Sequence, residues 1–489
     1  MDRERAVALT TLLDRLPAAR ISGNPEQFVN GIEIDSQAVR PGALFVALRG
    51  SRTDGHRYLP DAVANGACAV VVEAADLPPL SPSVTIARVD DSRRALSTLA
   101  AAFYGDPSHR LDVIGVTGTN GKTTTTRMVA AILNQSGTPS GVIGTVGAEY
   151  GAQSWQLQNT TPLPPELHGL LAQMCDAGAK AVAIEVSSHA LALDRVDDVR
   201  FKIAALTNVT RDHLDFHQTT EAYAAAKRRL FSLAENCVLN LDDPWGVRWA
   251  SELEREGRHT VTYGVTEGAT LTPQDLRVQS DGTRFLLDGQ RYQLHLPGRF
   301  NVWNALAAIA TARLMGIDDE TSARGLAKLE RVPGRMERLR ADGVDVVIDY
   351  AHTPDALDSA LRSLRETTGG RLAVVFGCGG DRDRGKRSEM GAVAARLADR
   401  LYLTSDNPRS EEPQAIVDAI VAGIGGCEHA VELDRRVAIE RAISEARSGD
   451  VVLIAGKGHE AYQIVGDRVL PFDDAAVARH ALAGRGVAS

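Results

Sequence analysis

The stretch that decides the fold of this chain is residues 111–125, which read LDVIGVTGTNGKTTT. An apolar run from Leu111 to Val116 predicts a strand, a glycine-rich turn follows, and the pattern from Arg127 to Leu133 predicts a helix. Glycines let backbone N–H groups converge on phosphate oxygens, and the start of a helix adds a partial positive charge. The order strand, glycine turn, Lys-Thr and helix therefore predicts a site for a nucleoside triphosphate.

Two residues of this loop have specific expected roles. Lys122 would reach the β- and γ-phosphates, and the hydroxyl of Thr123 would bind Mg²⁺. The strict pattern G-x-x-x-x-G-K-[ST] is not met, because Val116 stands where its first glycine should be. We still favour a phosphate loop over a plain turn, because the whole structural context of the motif is present.

A second glycine loop, residues 380–386, does fit the first seven positions of the same pattern. Arg387 follows it, so no hydroxyl is available there for a metal ion. We therefore predict that this second loop is a backbone nest for an anion or a carboxylate and not the ATP site.

Outward from the phosphate loop, apolar strands alternate with helical stretches. The runs from Ala181 to Val186 and from Ile203 to Val209 are apolar throughout, which is typical of a parallel sheet covered on both faces. Turn-rich segments at 104–108 and 331–335 bound this block. The sequence therefore predicts a central domain over residues 107–335.

The flanking blocks show the same alternation. Residues 1–106 contain predicted strands at 43–48 and 67–72, and residues 1–16 have the spacing of an amphipathic helix. Residues 336–489 contain further apolar strands at 346–350, 372–376, 401–404 and 451–455. We predict an α/β chain of three domains: 1–106, a central P-loop parallel-sheet domain at 107–335, and a Rossmann-like domain at 336–489.

The bulk composition excludes several classes of protein. The 489 residues carry 54 basic and 63 acidic side chains, a net charge of -9, which argues against a general surface for nucleic acid or anionic membranes. No run approaches the ~18 apolar residues of a spanning helix, and the start lacks the apolar core of a signal peptide. Five widely spaced cysteines favour reduced thiols over disulfides or zinc. We expect a soluble, cytoplasmic protein.

Polar residues follow the strands of the central block. Glu185 ends a predicted strand, where ligands of parallel sheets gather, so it is a candidate for Mg²⁺, although such acids are often only solvated. The stretch 212–217 holds two Asp and two His, which alone is compatible with a transition-metal site. Beside a Mg-ATP loop, the better interpretation is that Asn208 and His213 face phosphates and magnesium. Lys227 has only the pattern of an exposed helical cation.

Four segments, in this order along the chain, resemble the Mur ligases. They are residues 117–123 (TGTNGKT), 185–189 (EVSSH), 207–215 (TNVTRDHLD) and 349–354 (DYAHTP). Asp35-Ser36 and the segment 406–409 (DNPR) narrow the resemblance to the members that add the third residue of the peptidoglycan stem peptide. The resemblance covers essentially the whole chain, and its specificity comes from the combination of motifs.

The resemblance implies that the first domain holds the UDP-sugar substrate, UDP-N-acetylmuramoyl-L-alanyl-D-glutamate. The contacts it implies are Ile34, Ser36, Ser51, Arg52, Thr53, Asn159, Thr160, Thr161, Ser187 and Arg195. Leu193 departs from the family pattern, because some relatives carry at this position a Gln that touches the substrate.

The resemblance also implies the ATP contacts, which are Gly118, Thr119, Asn120, Gly121, Lys122, Thr123, Thr124, Asn301, Arg335 and Asp349. Lys122, His213 and Lys227 are the implied catalytic residues, with Lys227 converted by CO₂ into N6-carboxylysine. A carbamate suits two Mg²⁺ ions, whose implied ligands are Thr123, Glu185 and the modified Lys227. Because Arg335 and Asp349 belong to the join and the third domain, closure of the domains would complete the site.

The third domain is implied to present the amino acid, meso-diaminopimelate. The implied contacts are Arg382, Asp406, Asn407, Pro408, Arg409, Gly456 and Glu460. Arg409 can clamp a carboxylate bidentately, and lysine lacks a carboxylate at its far end, so such a site would reject lysine. Taken without the resemblance, the DNPR segment is only a turn and Glu460 only a helix cap.

The implied activity is that of an ATP-dependent ligase. It forms an acyl phosphate on the D-glutamate γ-carboxylate and couples meso-diaminopimelate to it, in peptidoglycan precursor synthesis. Lysine-adding Mur ligases and folylpolyglutamate synthases are disfavoured by the DNPR segment and by Asp35-Ser36, respectively. A nucleotide-dependent protein switch leaves the sugar and amino-acid motifs unexplained. A monomer is expected, because no heptad pattern is found.

Overall fold

The computed structural model describes residues 5–50, 53–73, 76–279 and 282–485. Tertiary contacts divide the chain into two compact units. The first unit comprises Met1–Gly115, Thr138–Ala204 and Arg229–Glu235, and the second comprises Val116–Gly137, Ala205–Arg228 and Asn236–Ser489. The three-domain boundaries at 106/107 and 335/336 stay a prediction.

The amino-terminal part of the first unit is built on a five-stranded sheet. Its elements are β1 (Val7–Ala8), α1 (Leu9–Leu13), β2 (Arg20–Ser22), β3 (Phe28–Val29), β4 (Gly31–Glu33), β5 (Ala43–Val46), α2 (Leu59–Ala64), β6 (Ala69–Val72), β7 (Thr85–Arg88) and α3 (Ser92–Phe103). The strand order is β2-β7-β6-β5-β4, parallel except for β2. Val70 and Val71 are buried in different clusters because successive strand residues point to opposite faces.

The amphipathic helix predicted for residues 1–16 is wrong over the residues that are described. Val7 pairs with Val29 in the small β1–β3 ribbon, and the Leu9 N–H donates to the Gln27 carbonyl at 2.8 Å. Only the five residues of α1 are helical, and its three buried leucines account for the apolar spacing. Residues 1–4 lie outside the described part of the chain.

The central elements follow one another from strand to helix, as predicted. They are β8 (Asp112–Thr117), α4 (Lys122–Gln135), β9 (Ser140–Gly144), β10 (Gly147–Tyr150), β11 (Gln153–Trp155), α5 (Pro164–Asp176), β12 (Ala181–Glu185), α6 (Ser188–Ala192), β13 (Phe201–Leu206), α7 (Leu214–His217), α8 (Thr220–Ser232), β14 (Ala234–Asn240), α9 (Pro244–Arg255) and β15 (His259–Tyr263). Their sheet has the order β11-β10-β9-β12-β8-β13-β14-β15. The pairs β9–β12 and β14–β15 are parallel, whereas β10 and β11 form an antiparallel edge that the sequence analysis missed.

The rest of the second unit begins with a three-stranded antiparallel sheet and two helices. These are β16 (Gln274–Gln279), β17 (Gly282–Leu287), β18 (Gln290–Leu294), α10 (Phe300–Leu314) and α11 (Asp319–Ala327). The elements that follow are β19 (Glu337–Ala341), β20 (Val344–Asp349), α12 (Pro354–Arg365), β21 (Leu372–Phe376), α13 (Lys386–Leu397), β22 (Arg400–Leu403), α14 (Pro413–Val421), β23 (His429–Val431), α15 (Arg435–Glu445), β24 (Val451–Ala455), β25 (Tyr462–Val465), β26 (Arg468–Pro471) and α16 (Asp474–Arg485).

The carboxy-terminal sheet confirms the predicted doubly wound arrangement. Its order is β19-β20-β24-β21-β22-β23, parallel except for β19. One face packs against α12, α13 and α14, and the other against α15 and α16. The loops after β21, β22 and β24 leave the same edge, which is where ligands gather in such sheets.

Candidate active site

The phosphate loop lies in the second unit between the end of β8 and the start of α4. Gly118 has φ +152° and Gly121 has φ +87°, conformations that L-residues with a side chain rarely adopt. A Cβ on Gly118 would collide with Thr207 Oγ1, and one on Gly121 would collide with Asn304 Oδ1. Both glycines are therefore required by the shape of the loop.

Asn208, which follows β13, fixes this shape. Its backbone carbonyl accepts from the Thr119 N–H at 2.8 Å, and its side chain exchanges two hydrogen bonds of 3.0 and 3.1 Å with the backbone of Asn120. Both ends of the Asn208 amide are thus used within the loop, which differs from the predicted role of facing phosphates.

The residues that open α4 contact the loop itself and Arg335. Lys122 Nζ donates to the carbonyls of Gly118 and Thr119 at 2.9 and 2.8 Å, so it curls over the loop. Arg335 Nη2 donates to Thr123 Oγ1 at 3.0 Å. Thr124, the last predicted loop contact, is buried in the first turn of α4.

Lys227 is buried, with 1% of its surface exposed, so the interpretation as an exposed helical cation is wrong. Its Nζ donates to the Gly118 carbonyl at 2.7 Å and lies 4.4 Å from the centre of the Tyr223 ring. Burial, and then the charge of Lys122, hold the pKa of Lys227 well below its usual value, although Asp212 opposes this. The structure therefore presents a buried amine that loses its proton more readily than an exposed lysine does.

Asp212 lies between several positive groups. Burial by itself would raise the pKa of this carboxyl, but the charges of His213, His352, Lys386 and Lys122 outweigh burial and lower it. The Asp212 carboxylate accepts from the His213 backbone N–H at 2.9 Å, and His213 has φ +53° at the start of α7. The Asp212 carboxylate is thus close enough to interact electrostatically with Lys122 of the phosphate loop and with both His213 and His352.

Asn301 and Asp349, which are predicted to contact ATP, are each fixed in position by two hydrogen bonds within the protein. Asn301 is buried, donates to the Pro297 carbonyl at 2.7 Å, and accepts from Asn304 at 2.9 Å. Asp349 accepts from two backbone N–H groups at 2.8 and 2.9 Å. Burial raises the pKa of Asp349, whereas Arg335 lowers it.

The sequence analysis missed Asp355, which lies on α12. Its carboxylate accepts from Asn120 Nδ2 at 3.0 Å and from Thr210 Oγ1 at 3.3 Å. Arg211 adds an ion pair of 2.7 Å with Glu389. These bonds join the predicted third domain to the phosphate loop and to the segment after β13, and Arg335 reaches Thr123 from the end of the predicted central domain. Long-range pairs of this kind leave no local pattern in a sequence.

A cavity of about 260 Å³ lies at the carboxyl edge of the carboxy-terminal sheet. Of the predicted diaminopimelate contacts, it is lined by Arg382, Asp406, Asn407, Arg409, Gly456 and Glu460. Pro408 is buried and does not line it. Asp212 and His213 also line the cavity, so it extends to the groups beside the phosphate loop.

Arg409 is held in an unusual backbone conformation, with φ +52°. The β25–β26 hairpin keeps it there, because the Arg409 N–H donates to the Ile464 carbonyl at 3.1 Å and the Gly466 N–H donates to the Arg409 carbonyl at 2.8 Å. Burial, and then the charge of Arg382, lower the pKa of Arg409. Two neighbouring guanidinium groups make this part of the cavity suited to an anion.

Lys457, which the sequence analysis also missed, supports the wall of the cavity that contains Asp406 and Glu460. It is fully buried and donates to Asn407 Oδ1 at 3.0 Å, as does the Ile464 N–H at 2.9 Å. Because Asn407 Oδ1 accepts both bonds, its Nδ2 donates to Glu460 at 3.1 Å. Burial raises the pKa of Glu460, whereas Lys457 lowers it. Glu460 and Asp406 give this wall its negative charge.

The second glycine loop binds a carboxylate, as predicted, and that carboxylate is the chain's own Glu411. Glu411 accepts from the Asp381 N–H at 2.7 Å and from Arg387 at 2.8 and 3.1 Å. Lys386 Nζ donates instead to the His352 carbonyl at 2.8 Å.

In the first unit, a cavity of about 750 Å³ is lined by three of the residues implied to bind the UDP-sugar. These are Ile34, Ser36 and Thr53, and Arg93 lines the same cavity. Ser51 and Arg52 lie outside the described residues. Arg93 also lines a smaller cavity with Leu193 and Arg195.

The other residues implied to bind the sugar form a hydrogen-bonded group in this unit. Arg195 donates to the Thr161 carbonyl at 2.9 Å, and the Thr161 hydroxyl donates to the Ser187 hydroxyl at 3.3 Å. Burial, and then Arg93, lower the pKa of Arg195, so the two cations suit an anionic ligand. Asn159 is half-buried beside Thr160.

Glu185 is almost fully buried at the end of β12. Its two oxygens accept from the Thr145 backbone N–H and hydroxyl, both at 2.9 Å, and the Thr145 hydroxyl also contacts that of Thr160. Within the described ranges, no group of three or more His, Cys, Asp and Glu side chains is arranged to hold a metal ion. The 212–217 cluster is therefore no transition-metal site.

Three family models match the chain: Mur ligase family, catalytic domain, over residues 28–104; Mur ligase middle domain over 116–312; and Mur ligase, glutamate ligase domain over 334–458. A UDP-N-acetylmuramoyl-L-alanyl-D-glutamate--2,6-diaminopimelate ligase of Gloeobacter violaceus is 45% identical over 471 residues, covering 94% of this chain and 95% of that protein. A ligase of the same name from Geobacillus kaustophilus is 44% identical over 496 residues, 98% and 100% of the two chains. The chain belongs to the Mur ligase family.

Solved Mur ligase structures agree with this assignment. A structure of a UDP-N-acetylmuramoyl-L-alanyl-D-glutamate--2,6-diaminopimelate ligase is 33% identical, has a TM-score of 0.68, and covers 98% of this chain and 99% of its own. The MurF ligase of Thermotoga maritima in complex with ADP is 21% identical with a TM-score of 0.63, covers 93% and 98%, and supports the fold.

As a Mur ligase, the protein is an ATP-dependent enzyme that forms amide bonds. Among the helices that are described, none is both long and apolar enough to cross a membrane. All five cysteines lie within the described ranges and none forms a disulfide.

Proposed function

We propose that this Mur ligase joins meso-diaminopimelate to the D-glutamate γ-carboxylate of UDP-N-acetylmuramoyl-L-alanyl-D-glutamate, in peptidoglycan precursor synthesis. One observation carries the proposal: the carboxy-terminal cavity places Arg382 and Arg409 together with Asp406 and Glu460. The far end of meso-diaminopimelate carries one carboxylate and one ammonium group, which these two charge pairs complement. Lysine would leave the guanidinium groups without an anion.

The first step transfers the γ-phosphoryl group of ATP. A γ-carboxylate oxygen bonds to phosphorus, and the bond from phosphorus to ADP breaks with its electron pair leaving on ADP. Lys122 at the start of α4 and the phosphate-loop N–H groups stabilise the charge that develops. His213, which lines the neighbouring cavity, supports the same charge.

The second step forms the amide. The amine of diaminopimelate bonds to the acyl carbon, the carbon–oxygen bond to phosphate breaks, and the amine loses a proton. The cavity reaches Asp212 and His213 beside the phosphate loop, so an amino acid held at Arg409 extends toward the reacting carbon. Holding both reactants in this way replaces a bimolecular encounter with an oriented one.

Two Mg²⁺ ions belong to the proposal, and the residues that would hold them are Thr123, Glu185 and a carbamylated Lys227. Bound Mg²⁺ neutralises phosphate charge and orients the phosphoryl group. Burial lowers the pKa of the Lys227 amine, which makes its neutral form, the form that attacks CO₂, easier to reach than in an exposed lysine. The new N–C bond and loss of one proton give a carbamate anion.

The proposal assigns parts to the three predicted domains: residues 1–106 hold the UDP-sugar, 107–335 hold ATP, and 336–489 present the amino acid. Arg93 of the first predicted domain and Arg195 of the second line one cavity, and these two cations would hold an anionic group of the UDP-sugar. The enzyme is proposed to be a cytoplasmic monomer with small-molecule substrates and without nucleic-acid or membrane partners.

The test is phosphate release from ATP in the presence of the UDP-sugar dipeptide, comparing meso-diaminopimelate with L-lysine. We expect release with meso-diaminopimelate only, and a tripeptide product of matching mass. Release with lysine alone would keep the ligase but refute the role given to Arg409. Release with neither amino acid would refute the proposed reaction.

The carbamate has its own test. Lys227→Ala should lose activity, and short-chain carboxylic acids should restore part of it by standing in for the carbamate. Mass spectrometry of the intact wild-type protein at high bicarbonate should show the added CO₂. A Lys227→Ala variant with full activity would refute the carbamate.

A further inference from the structure

A fully buried ion pair lies beneath the amino-acid cavity in the second unit. Arg435 begins α15 and Asp474 begins α16, and both side chains have 0% of their surface exposed. The pair is bidentate, with Arg435 Nε and Nη2 donating to the two Asp474 oxygens at 2.8 and 2.7 Å. Buried ion pairs contribute little net stability compared with apolar residues of the same size, so stability alone does not explain this one.

The same guanidinium also bonds to the backbone. Its Nη2 donates to the Ala455 carbonyl at 3.0 Å, and its Nη1 donates to the Ser405 carbonyl at 3.4 Å. Ala455 ends β24 and directly precedes Gly456, while Ser405 follows β22 and directly precedes Asp406. One rigid, planar group therefore spans the two turns that carry Asp406 and Gly456 to the cavity.

The distance between these two turns can change little, because they are in contact. Gly456 has φ +118°, and a Cβ there would lie 2.6 Å from Asp406 Oδ2, so the Asp406 carboxylate packs directly against the Gly456 backbone. The positive charge of Arg435 also acts on Asp406 and Glu460, two of the acidic residues that line the cavity. Arg435 itself does not line the cavity.

We propose that Arg435, held in place by Asp474, is a positioning residue that sets the affinity for the amino-acid substrate by fixing the distance between the turns at Asp406 and Gly456. The inference rests on the proposed function, because it takes the cavity to be the amino-acid site. It adds a specificity-supporting pair that never touches the substrate.

A double variant separates positioning from folding. Arg435→Met combined with Asp474→Leu replaces the ion pair with apolar side chains of similar size, which buried sites often tolerate without loss of stability. It removes both hydrogen bonds to the strand-end carbonyls. We expect a folded protein whose KM for meso-diaminopimelate is raised by roughly tenfold or more, while its KM for ATP changes by less than about twofold.

Two further variants test the interpretation of this result: one keeps the charge of Arg435, and the other is a control. Arg435→Lys keeps the charge but not the planar fork, so its KM for meso-diaminopimelate should lie between those of the wild type and the double variant. Asp450→Asn is the matched control, because Asp450 is buried, pairs with Arg371, and lies at the opposite end of β24. Asp450→Asn should lower thermal stability and leave the KM for meso-diaminopimelate unchanged.

The outcomes are distinguishable. A wild-type enzyme that releases no phosphate with meso-diaminopimelate overturns the proposed function on which the inference rests. An active wild type and a folded double variant with an unchanged KM for meso-diaminopimelate overturn the inference alone. Equal increases in the KM values for ATP and for meso-diaminopimelate also overturn it, because they indicate a general structural effect.

Discussion

The molecule contains two glycine loops that both place Gly-Lys at the start of a helix, and they have opposite characters. At Gly121-Lys122 the glycine has φ +87°, whereas at Gly385-Lys386 the glycine has an ordinary helical φ of −63°. Lys122 bonds to the carbonyls of its own loop, whereas Lys386 bonds to the carbonyl of His352. The second loop fits the sequence pattern better and resembles a phosphate site less.

The difference teaches that a phosphate loop is defined by its conformation and by its neighbours. The first loop is shaped from outside by Asn208, which bonds to its backbone and leaves the start of α4 for a ligand. The second loop already holds a carboxylate of the chain, Glu411, at the Asp381 N–H. A spacing of glycines specifies neither property.

The largest contrast is expected between Lys122, which opens α4, and Arg384, a cation of the second loop. Lys122→Met should lower kcat by about a thousandfold or more, because the lysine stabilises charge on the transferred phosphoryl group. Arg384→Gln in the second loop is the control, since the Arg384 side chain is 74% exposed and its ion pair with Glu411 is 3.3 Å long. Steady-state phosphate release measures both variants. Similar losses in the two would contradict the distinction between the loops.

Alanine in place of each helix-start glycine gives the next largest contrast. Gly121→Ala should raise the KM for ATP by about tenfold or more, because a Cβ is strained at positive φ and collides with Asn304. Gly385→Ala should change it by less than about twofold, since its Cβ would meet side chains and no backbone: the flexible end of Arg211 at 2.7 Å and Asp383 Oδ1 at 3.2 Å. Equal KM values for ATP in the two variants would show that loop shape is unimportant.

A smaller effect is expected when the outer support of the first loop is removed. Asn208→Ala deletes two hydrogen bonds to Asn120, each worth about 1 kcal/mol. The KM for ATP should rise by roughly threefold to tenfold while the melting temperature falls slightly. ADP titration by calorimetry checks the same change without turnover. An unchanged affinity would mean that the loop keeps its conformation unaided.

The smallest effect on ATP binding is expected at Glu411, whose role is structural. The pKa of Glu411 is lowered to about 2, first by its hydrogen bonds from Arg387. Since the unfolded-state pKa is 4.5, the stabilisation is complete above pH 4.5 and is lost as the pH falls toward 2. Glu411→Gln should lower the free energy of unfolding by roughly 1–3 kcal/mol at neutral pH.

Denaturant titration at several pH values measures this stability difference. The gap between wild type and Glu411→Gln should close between pH 4.5 and 2, while the KM for ATP at neutral pH stays unchanged. A gap independent of pH would show that the carboxylate charge contributes nothing.

The parts of this enzyme that the sequence predicted well are contiguous in the chain. The phosphate loop, its strand and its helix are neighbours in sequence, and strands 372–376 and 451–455 were placed with the bounds observed. The contacts Arg335–Thr123 and Asn120–Asp355 join residues more than two hundred positions apart. No periodicity encodes such pairs, so the sequence could not supply them.

Lys227 shows a signal that was available but was not used. Tyr223 lies four residues before it and Leu230 three residues after it, and both are buried. A residue at these spacings shares the buried face of a helix, even when it is a lysine. The helical pattern itself therefore predicts burial for Lys227. The β25–β26 hairpin likewise had a signal, since Gly466-Asp467 separates two short runs, 462–465 and 468–471, that contain Tyr, Ile, Val and Leu.

The backbone hydrogen bonds between the β25–β26 hairpin and Arg409 matter for any attempt to transfer amino-acid specificity from one ligase to another. The segment 406–409 carries the side chains, but Ile464 and Gly466 supply the bonds that keep Arg409 at positive φ. Selection of the amino-acid substrate therefore depends on two segments of the chain, residues 406–409 and residues 464–466, which are about sixty residues apart. If residues 406–409 alone were transferred to another ligase, the arginine would lack the hairpin hydrogen bonds that hold its backbone in this conformation.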